Sequence, residues 1–174
     1  MAKSQETIWY TNYASPVGTI LVASSIRGVC RLATPGESME KFQEAIRKQF
    51  PGCEQVRGET ENRQVIRELE EYFAGKRKTF TCNLDLRGTE FQSRVWKALQ
   101  EIPYGENRSY EDIARAAGCE KGCRAVGQAN GANPVSIVVP CHRVIAKGGK
   151  LGGYGGGLEM KTYLLELERN YAEN

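Results

Sequence analysis

Ser109-Tyr110-Glu111-Asp112-Ile113-Ala114, then Gly118, then Arg124-Ala125-Val126-Gly127-Gln128-Ala129-Asn130-Gly131 is the stretch on which the fold of this 174-residue chain turns. A hydroxyl at 109 with an acid at 112 fits a capping pattern that satisfies free backbone N–H groups at a helix start. Gly118 closes that short helix. After a short turn, another helix runs from about Gly122 to Gly131. Two short helices joined by a tight turn read as a helix-turn-helix, a pattern also common among helix pairs that bind nothing. The later helix carries small side chains apart from Arg124, Val126 and two amides. Gly inside a helix costs about 1 kcal/mol relative to Ala, so Gly127 implies a close approach to the backbone. Tight helix packing is one reading. Nucleic acid against a nearly bare helix, with Arg124 projecting, is the other.

Upstream, Thr89-Glu90-Phe91-Gln92 fits a capping box. It opens a helix that lines up Phe91, Val95 and Leu99 with Trp96 beside them, and Pro103-Tyr104-Gly105 breaks it. Arg87-Gly88 is the best boundary, giving an N-terminal unit over 1–87 and a C-terminal unit over 88–174. The first of these alternates in the strand manner. Thr7 to Tyr13, Thr19 to Ala23 and Val29 to Leu32 read as a short antiparallel meander with turns at Pro16-Val17-Gly18 and Arg27-Gly28. One helix places Met39, Phe42, Ile46 and Phe50 at helical spacing and stops at Pro51-Gly52. A second aligns Val65, Ile66, Leu69, Tyr72 and Phe73 and ends at Gly75. Residues 76–88 are basic, then polar and strand-like.

Downstream, Asn133-Pro134 makes a turn, and Val135 to Val139 reads as a buried, strand-like run. Pro140-Cys141-His142-Arg143-Val144 follows. A cysteine beside the sole histidine of the chain is a candidate activated thiol, because the thiolate is the nucleophile and a base or cation lowers its pKa from about 8.5. Arg143 is expected to add positive potential. In an extended segment, neighbours point to opposite faces, so a water or a chain turn must bring thiol and imidazole together. A buried inert cysteine is the plain alternative. Gly148 to Gly157 contains seven glycines in ten residues. It lacks the closing Gly-Lys-Ser/Thr of a phosphate loop, and reads either as a surface loop or as a pocket wall with Tyr154 stacked on a flat ligand. A last helix covers Leu158 to Glu168.

Composition excludes several classes. With 40% hydrophobic and 26% charged residues the chain is globular rather than disordered. Its longest apolar run falls far short of the ~20 residues that span a bilayer. The N-terminus has no apolar core of a signal peptide, so a cytoplasmic chain with reduced thiols is expected. A single histidine rules out multi-histidine metal sites. Cys119, Cys123, Cys141 and His142 are zinc-type ligands, but adjacent residues seldom aim at one ion, and no metal or cofactor is expected. The net charge is +3, with seven cationic and three acidic side chains over residues 108–150 forming a modest basic region.

Pro140-Cys141-His142-Arg143-Val144, preceded by Arg124-Ala125-Val126-Gly127 and Asn133-Pro134 and followed by Gly153-Tyr154 and Leu164-Leu165, closely resembles the O6-alkylguanine-DNA alkyltransferases. The resemblance covers residues 88–174 strongly and the N-terminal half in element order. It implies an α+β protein: an RNase H-like N-terminal domain of structural role, and a C-terminal helical domain with a winged-helix-like helix-turn-helix that binds DNA and accepts the alkyl group. It implies a DNA-repair methyltransferase, consumed once per lesion, that flips O6-alkylguanine (and O4-alkylthymine as a further lesion) out of double-stranded DNA. The protein would act as a monomer from the minor groove, with no membrane partner. Cys141 would attack the alkyl carbon. His142 would act through water as base, oriented by Glu168. Asn133 would order the turn, and Tyr110 would donate to the departing guanine. Val144, Tyr154, Gly155 and Ala129 would line the pocket, and Arg124 would fill the vacated stack. Gly155 stands where some relatives carry a hydroxyl. Two other classes are distinguishable: a lesion-binding protein without transfer, which relatives lacking the acceptor cysteine exemplify, and a cysteine hydrolase, which would turn over repeatedly.

Overall fold

Thr7–Ser15 (β1), Gly18–Ser25 (β2) and Gly28–Ala33 (β3) form an antiparallel meander with registers such as Tyr10↔Ala23 and Val22↔Leu32. The computed structural model describes residues 5–173. These divide into one unit ending at Arg87 and another beginning at Gly88. In β2, Leu21 and Ala23 join Ile8, Cys30, Phe42, Ile46 and Phe50 in one buried cluster. Side chains alternate along a strand, so Ile20 and Val22 face the other side, and they too are fully buried. The sheet is therefore covered on both faces. Helix α1 (Met39–Gln49) starts at Ser38, whose side chain accepts from Lys41 N, and contributes Phe42 and Ile46 to the core.

The sheet is mixed rather than wholly antiparallel. A fourth strand, β4 (Glu54–Arg57), adds beside β1 in parallel, giving the order β3-β2-β1-β4. Glu54-Gln55-Val56-Arg57 carries no apolar alternation because it is a half-exposed edge, so periodicity is silent there. Helix α2 (Arg63–Phe73) buries Val65, Leu69, Tyr72 and Phe73 together with Glu68. The strand-like reading of residues 76–88 reduces to one isolated bridge between Val29 and Leu84. Side-chain anchoring replaces a ladder: Glu68 accepts from Thr81 N at 2.9 Å, Cys82 N at 3.2 Å and Gln64 Nε2 at 3.0 Å. All six cysteines are free thiols. Burial pushes Cys30 and Cys82 up to about 12, so neither is a nucleophile at neutral pH.

In the second unit, α3 (Glu90–Gln100) opens with a complete Thr89/Gln92 capping box. Strand β5 (Arg108–Ser109) leads into α4 (Tyr110–Ala116), capped by Ser109 and Asp112, and Gly118 at φ +74° ends that helix. Helix α5 (Cys123–Gly131) follows, and Trp96 Nε1 of α3 donates to Ala129 O at 2.8 Å, fixing α3 against it. Strand β6 (Val144–Ile145) pairs in parallel with β5, and α6 runs from Leu158 to Tyr171, past the expected end at Glu168. No helix is long and apolar enough to cross a membrane among the described residues.

The run Val135 to Val139 buries its apolar side chains, with Ser136 half-buried, but is not a strand. Val135 N donates to Asn133 Oδ1 at 3.0 Å, while Asn133 Nδ2 donates to Val139 O at 2.8 Å. One amide thus clamps both ends of the segment into a closed turn, with Val139 N donating to Val135 O at 3.0 Å. Closure forces Ile137 to φ +74°. A β-branched residue there costs on the order of 1–3 kcal/mol and persists only where its surroundings over-determine it; Ile137 is fully buried.

Candidate active site

The closed turn delivers the chain into one 3₁₀ turn, Cys141–Arg143, with all three side chains buried. Cys141 and His142 therefore do not sit in an extended segment. His142 Nε2 lies 2.6 Å from Glu168 Oε1 of α6. Arg143 grips the same carboxylate with two donors, Nε to Oε2 at 2.8 Å and Nη2 to Oε1 at 3.0 Å, and its Nη1 donates to Ile102 O at 2.6 Å. Gly105 N also reaches Glu168 Oε2 at 3.2 Å. Burial by itself would raise the Glu168 pKa; the hydrogen bond with His142 and the Arg143 guanidinium overcome it and hold the carboxyl at about 2. An ionised carboxylate only accepts, so Nε2 carries the imidazole proton. Burial lowers the His142 pKa against the pull of Glu168. The resting imidazole is thus neutral, and its Nδ1 is a buried acceptor with no hydrogen-bond partner among the described residues.

Arg143 was expected to raise the potential at the thiol, but its donors are spent on Glu168 and Ile102. The cation that acts on Cys141 is Lys161. Lys161 is fully buried in α6, and its Nζ donates to Val144 O at 2.6 Å, to Gly153 O at 3.2 Å and to Leu151 O. That one ammonium ties the segment after the thiol to the glycine-rich loop. Burial pushes the Cys141 thiol up; contacts from the Asn133 and Ser136 side chains and the charge of Lys161 pull it down without cancelling the burial. Cys141 rests as a thiol and needs a base.

The β5–β6 pair sets Ser109 opposite Ile145 and so brings the first turn of α4 beside the thiol turn. Tyr110, half-buried, is raised by burial and then by Cys141, and its hydroxyl stays protonated as a donor. A Cβ on Gly152, which sits at φ +68°, would lie 2.9 Å from that hydroxyl, so only glycine fits beneath it. Tyr154 is pushed well up by burial first, with Cys141 and Glu168 adding. Val144 is fully buried, Ala129 buried and Gly155 exposed, and a Cβ on Gly155 would meet open space. Arg124 is exposed on α5, apart from the buried group. Among the described residues no cluster of three or more His, Cys, Asp or Glu is arranged to hold a metal ion.

Residues 90–170 match the family described as 6-O-methylguanine DNA methyltransferase, DNA binding domain, and residues 8–86 match its ribonuclease-like domain. An inducible methylated-DNA–protein-cysteine methyltransferase of Bacillus subtilis is 43% identical over 169 residues, 97% of this chain and 94% of the relative. The chain belongs to the 6-O-methylguanine DNA methyltransferase family. A Methanosarcina acetivorans methyltransferase of the family is 45% identical, covering 92% of this chain and 98% of its own. The crystal structure of the Mycobacterium tuberculosis O6-methylguanine methyltransferase superposes with a TM-score of 0.81 at 43% identity, over 94% of each chain. The resemblance read from the cysteine motif and the α+β architecture are both borne out. What motif reading missed in this methyltransferase chain is Lys161, Ser136 and Asn130. Lys161 had a signal: with Leu164 and Glu168 it falls at i, i+3 and i+7 on one helical face, two charges where a core stripe should be apolar.

Proposed function

We propose that the protein repairs double-stranded DNA by transferring the alkyl group of a flipped-out O6-alkylguanine to Cys141 Sγ, once per molecule. O4-alkylthymine is a further substrate of the same site. His142 Nδ1, through one water, takes the thiol proton. The sulfur lone pair then forms the S–C bond, the C–O6 bond breaks, and its electrons leave with the guanine. The guanine departs as an anion held by the Tyr110 hydroxyl, and the proton on His142 returns to it through solvent. Glu168 orients the imidazole, and Asn133 holds the closed turn. Val144, Tyr154, Gly155 and Ala129 border the base, and Arg124 fills the stack. The observation that carries this reading is the 3₁₀ turn that buries Cys141 next in sequence to His142, whose Nε2 is engaged by Glu168 and whose Nδ1 is left as the basic nitrogen.

DNA is the partner that the matched family description and the solved DNA complex of the Mycobacterium tuberculosis relative support. A Cβ on Gly127 would meet only Tyr110 Cε1, at 3.9 Å. Packing inside the chain therefore does not require glycine at 127, which favours close approach of an outside backbone. Minor-groove entry suits a scanner, since that groove carries little sequence information, and flipping costs a few kcal/mol of unstacking. The C-terminal unit carries binding and transfer, the N-terminal unit is structural, and the protein works as a cytoplasmic monomer without a cofactor. Mass spectrometry after mixing with O6-methylguanine DNA tests this. One methyl adduct is expected on Cys141 and none in Cys141→Ser. Tight lesion binding with no gain in mass would instead establish the non-transferring reading, and repeated turnover a hydrolase.

A further inference from the structure

Asn130 lies at the C-terminal end of α5 and is 6% exposed. Its Nδ2 donates to Cys141 O at 3.4 Å, while its Oδ1 is buried with no hydrogen-bond partner among the described residues. The two ends of an amide are separated by one carbon, so this orphan acceptor lies in the immediate neighbourhood of the Cys141 carbonyl. His142 Nδ1 and the Tyr154 hydroxyl are likewise buried and unpartnered, and both belong to the site around the thiol. A buried acceptor without a donor costs about 1–3 kcal/mol. Native proteins keep such groups where function needs them.

The chemistry of the substrate limits what can satisfy Oδ1. In O6-alkylguanine the O6 edge carries carbon, and N1 and N3 are acceptors. The only N–H donors left on the base within DNA are those of the 2-amino group. We infer that Asn130 is a specificity-determining residue: its Oδ1 accepts a hydrogen bond from the 2-amino group of the extruded base, next to the Cys141 carbonyl that its Nδ2 holds in place. A base lacking that amine leaves the acceptor buried and unpaired, which is how a polar site disfavours an analogue; O4-alkylthymine, which has a carbonyl there, is accordingly the slower substrate of this site. The inference rests on the alkyl-transfer reading above.

The test crosses protein variants with two duplexes, one containing O6-methylguanine and the other O6-methylhypoxanthine, which lacks only the 2-amino group. Wild-type protein should be methylated faster by the guanine duplex by about tenfold or more. In Asn130→Leu the guanine rate should fall and the hypoxanthine rate hold, collapsing the ratio towards one. Asn130→Asp, which keeps an acceptor, should retain a preference for guanine, and serves where the leucine variant does not fold. A wild-type ratio near one overturns the assignment, as does an unchanged ratio in Asn130→Leu or a preference lost in a folded Asn130→Asp. Wild-type protein methylated by neither duplex overturns the alkyl-transfer reading itself.

Discussion

At the scale of the residue, the proposed mechanism pairs two groups whose pKa values move in opposite senses. Burial raises the Cys141 thiol and lowers the His142 imidazole. Neutral pH therefore holds a protonated thiol next in sequence to an unprotonated imidazole, the charge states that the proposed general-base step requires. The rate of Cys141 methylation should be level through neutral pH, and fall on the acid side, below the ordinary imidazole range, as His142 takes a proton. Replacing His142 with Ala should slow transfer by roughly 10²–10⁴-fold at pH 7. The residual rate should climb with pH, as the raised thiol ionises unaided. Rapid-quench measurement of adduct formation from pH 5 to 10 reads both limbs, and a residual rate independent of pH would remove His142 as the base. Glu168 links the same network to stability. Its carboxyl stands near 4.5 when unfolded and about 2 when folded, so its contribution is complete above pH 4.5 and is lost as pH falls towards 2. The melting temperature of Glu168→Gln should accordingly depend less steeply on pH across that window than that of the parent.

At the scale of the element, caps and turns aim the side chains. Thr89→Ala removes the hydroxyl that accepts from Gln92 N at 3.1 Å. It should lower stability by about 1 kcal/mol in denaturant unfolding while leaving the thiol turn intact. Gly152→Ala acts differently: its Cβ would meet the Tyr110 hydroxyl at 2.9 Å, on a backbone at φ +68°. Transfer should slow even for free O6-alkylguanine base, because the role proposed for Tyr110 is to donate to the departing base rather than to hold the DNA. Arg124 on α5 has the opposite signature. Arg124→Ala should lose repair of duplex DNA more than reaction with the free base, and equal losses on the two substrates would refute a role in extrusion. Capping boxes at 89–92 and 109–112 were legible because their geometry is local. The turn at 135–139 was not, because its apolar composition is that of a buried strand, and only the Asn133 clamp distinguishes the two.

At the scale of the whole molecule, each of the two units is held by a buried charge that reaches across sequence. In the first, Glu68 joins α2 to the segment at Thr81 and Cys82. Burial would raise its pKa, but hydrogen bonds from Thr81, Gln64 and the backbone bring it below its ordinary value. Glu68→Ala would leave those part-buried donors without their charged acceptor. It should destabilise the protein by about 1–3 kcal/mol, a loss that hydrogen exchange at Thr81 and Cys82 would localise to that segment. In the second, Glu168 and Lys161 pin α6 to the thiol turn and to the loop carrying Tyr154. Edge strand β4 escaped sequence reading for a related reason: its order comes from pairing with β1, not from its own composition.

The amino-acid sequence by itself determined the division near Arg87, the meander and its two helices, the capped helix-turn-helix and the cysteine motif. Each of these depends on local spacing, capping chemistry or an ordered run of residues, all of which are written in the chain. Tertiary structure decided which groups face one another. It moved the active cation from Arg143 to Lys161, turned an apparent strand into a closed loop, left Nδ1 of His142 free by engaging Nε2, and buried Asn130 with an unpaired acceptor. Burial and hydrogen-bond partners set charge state and reactivity, and both are properties of residues brought together from distant parts of the chain.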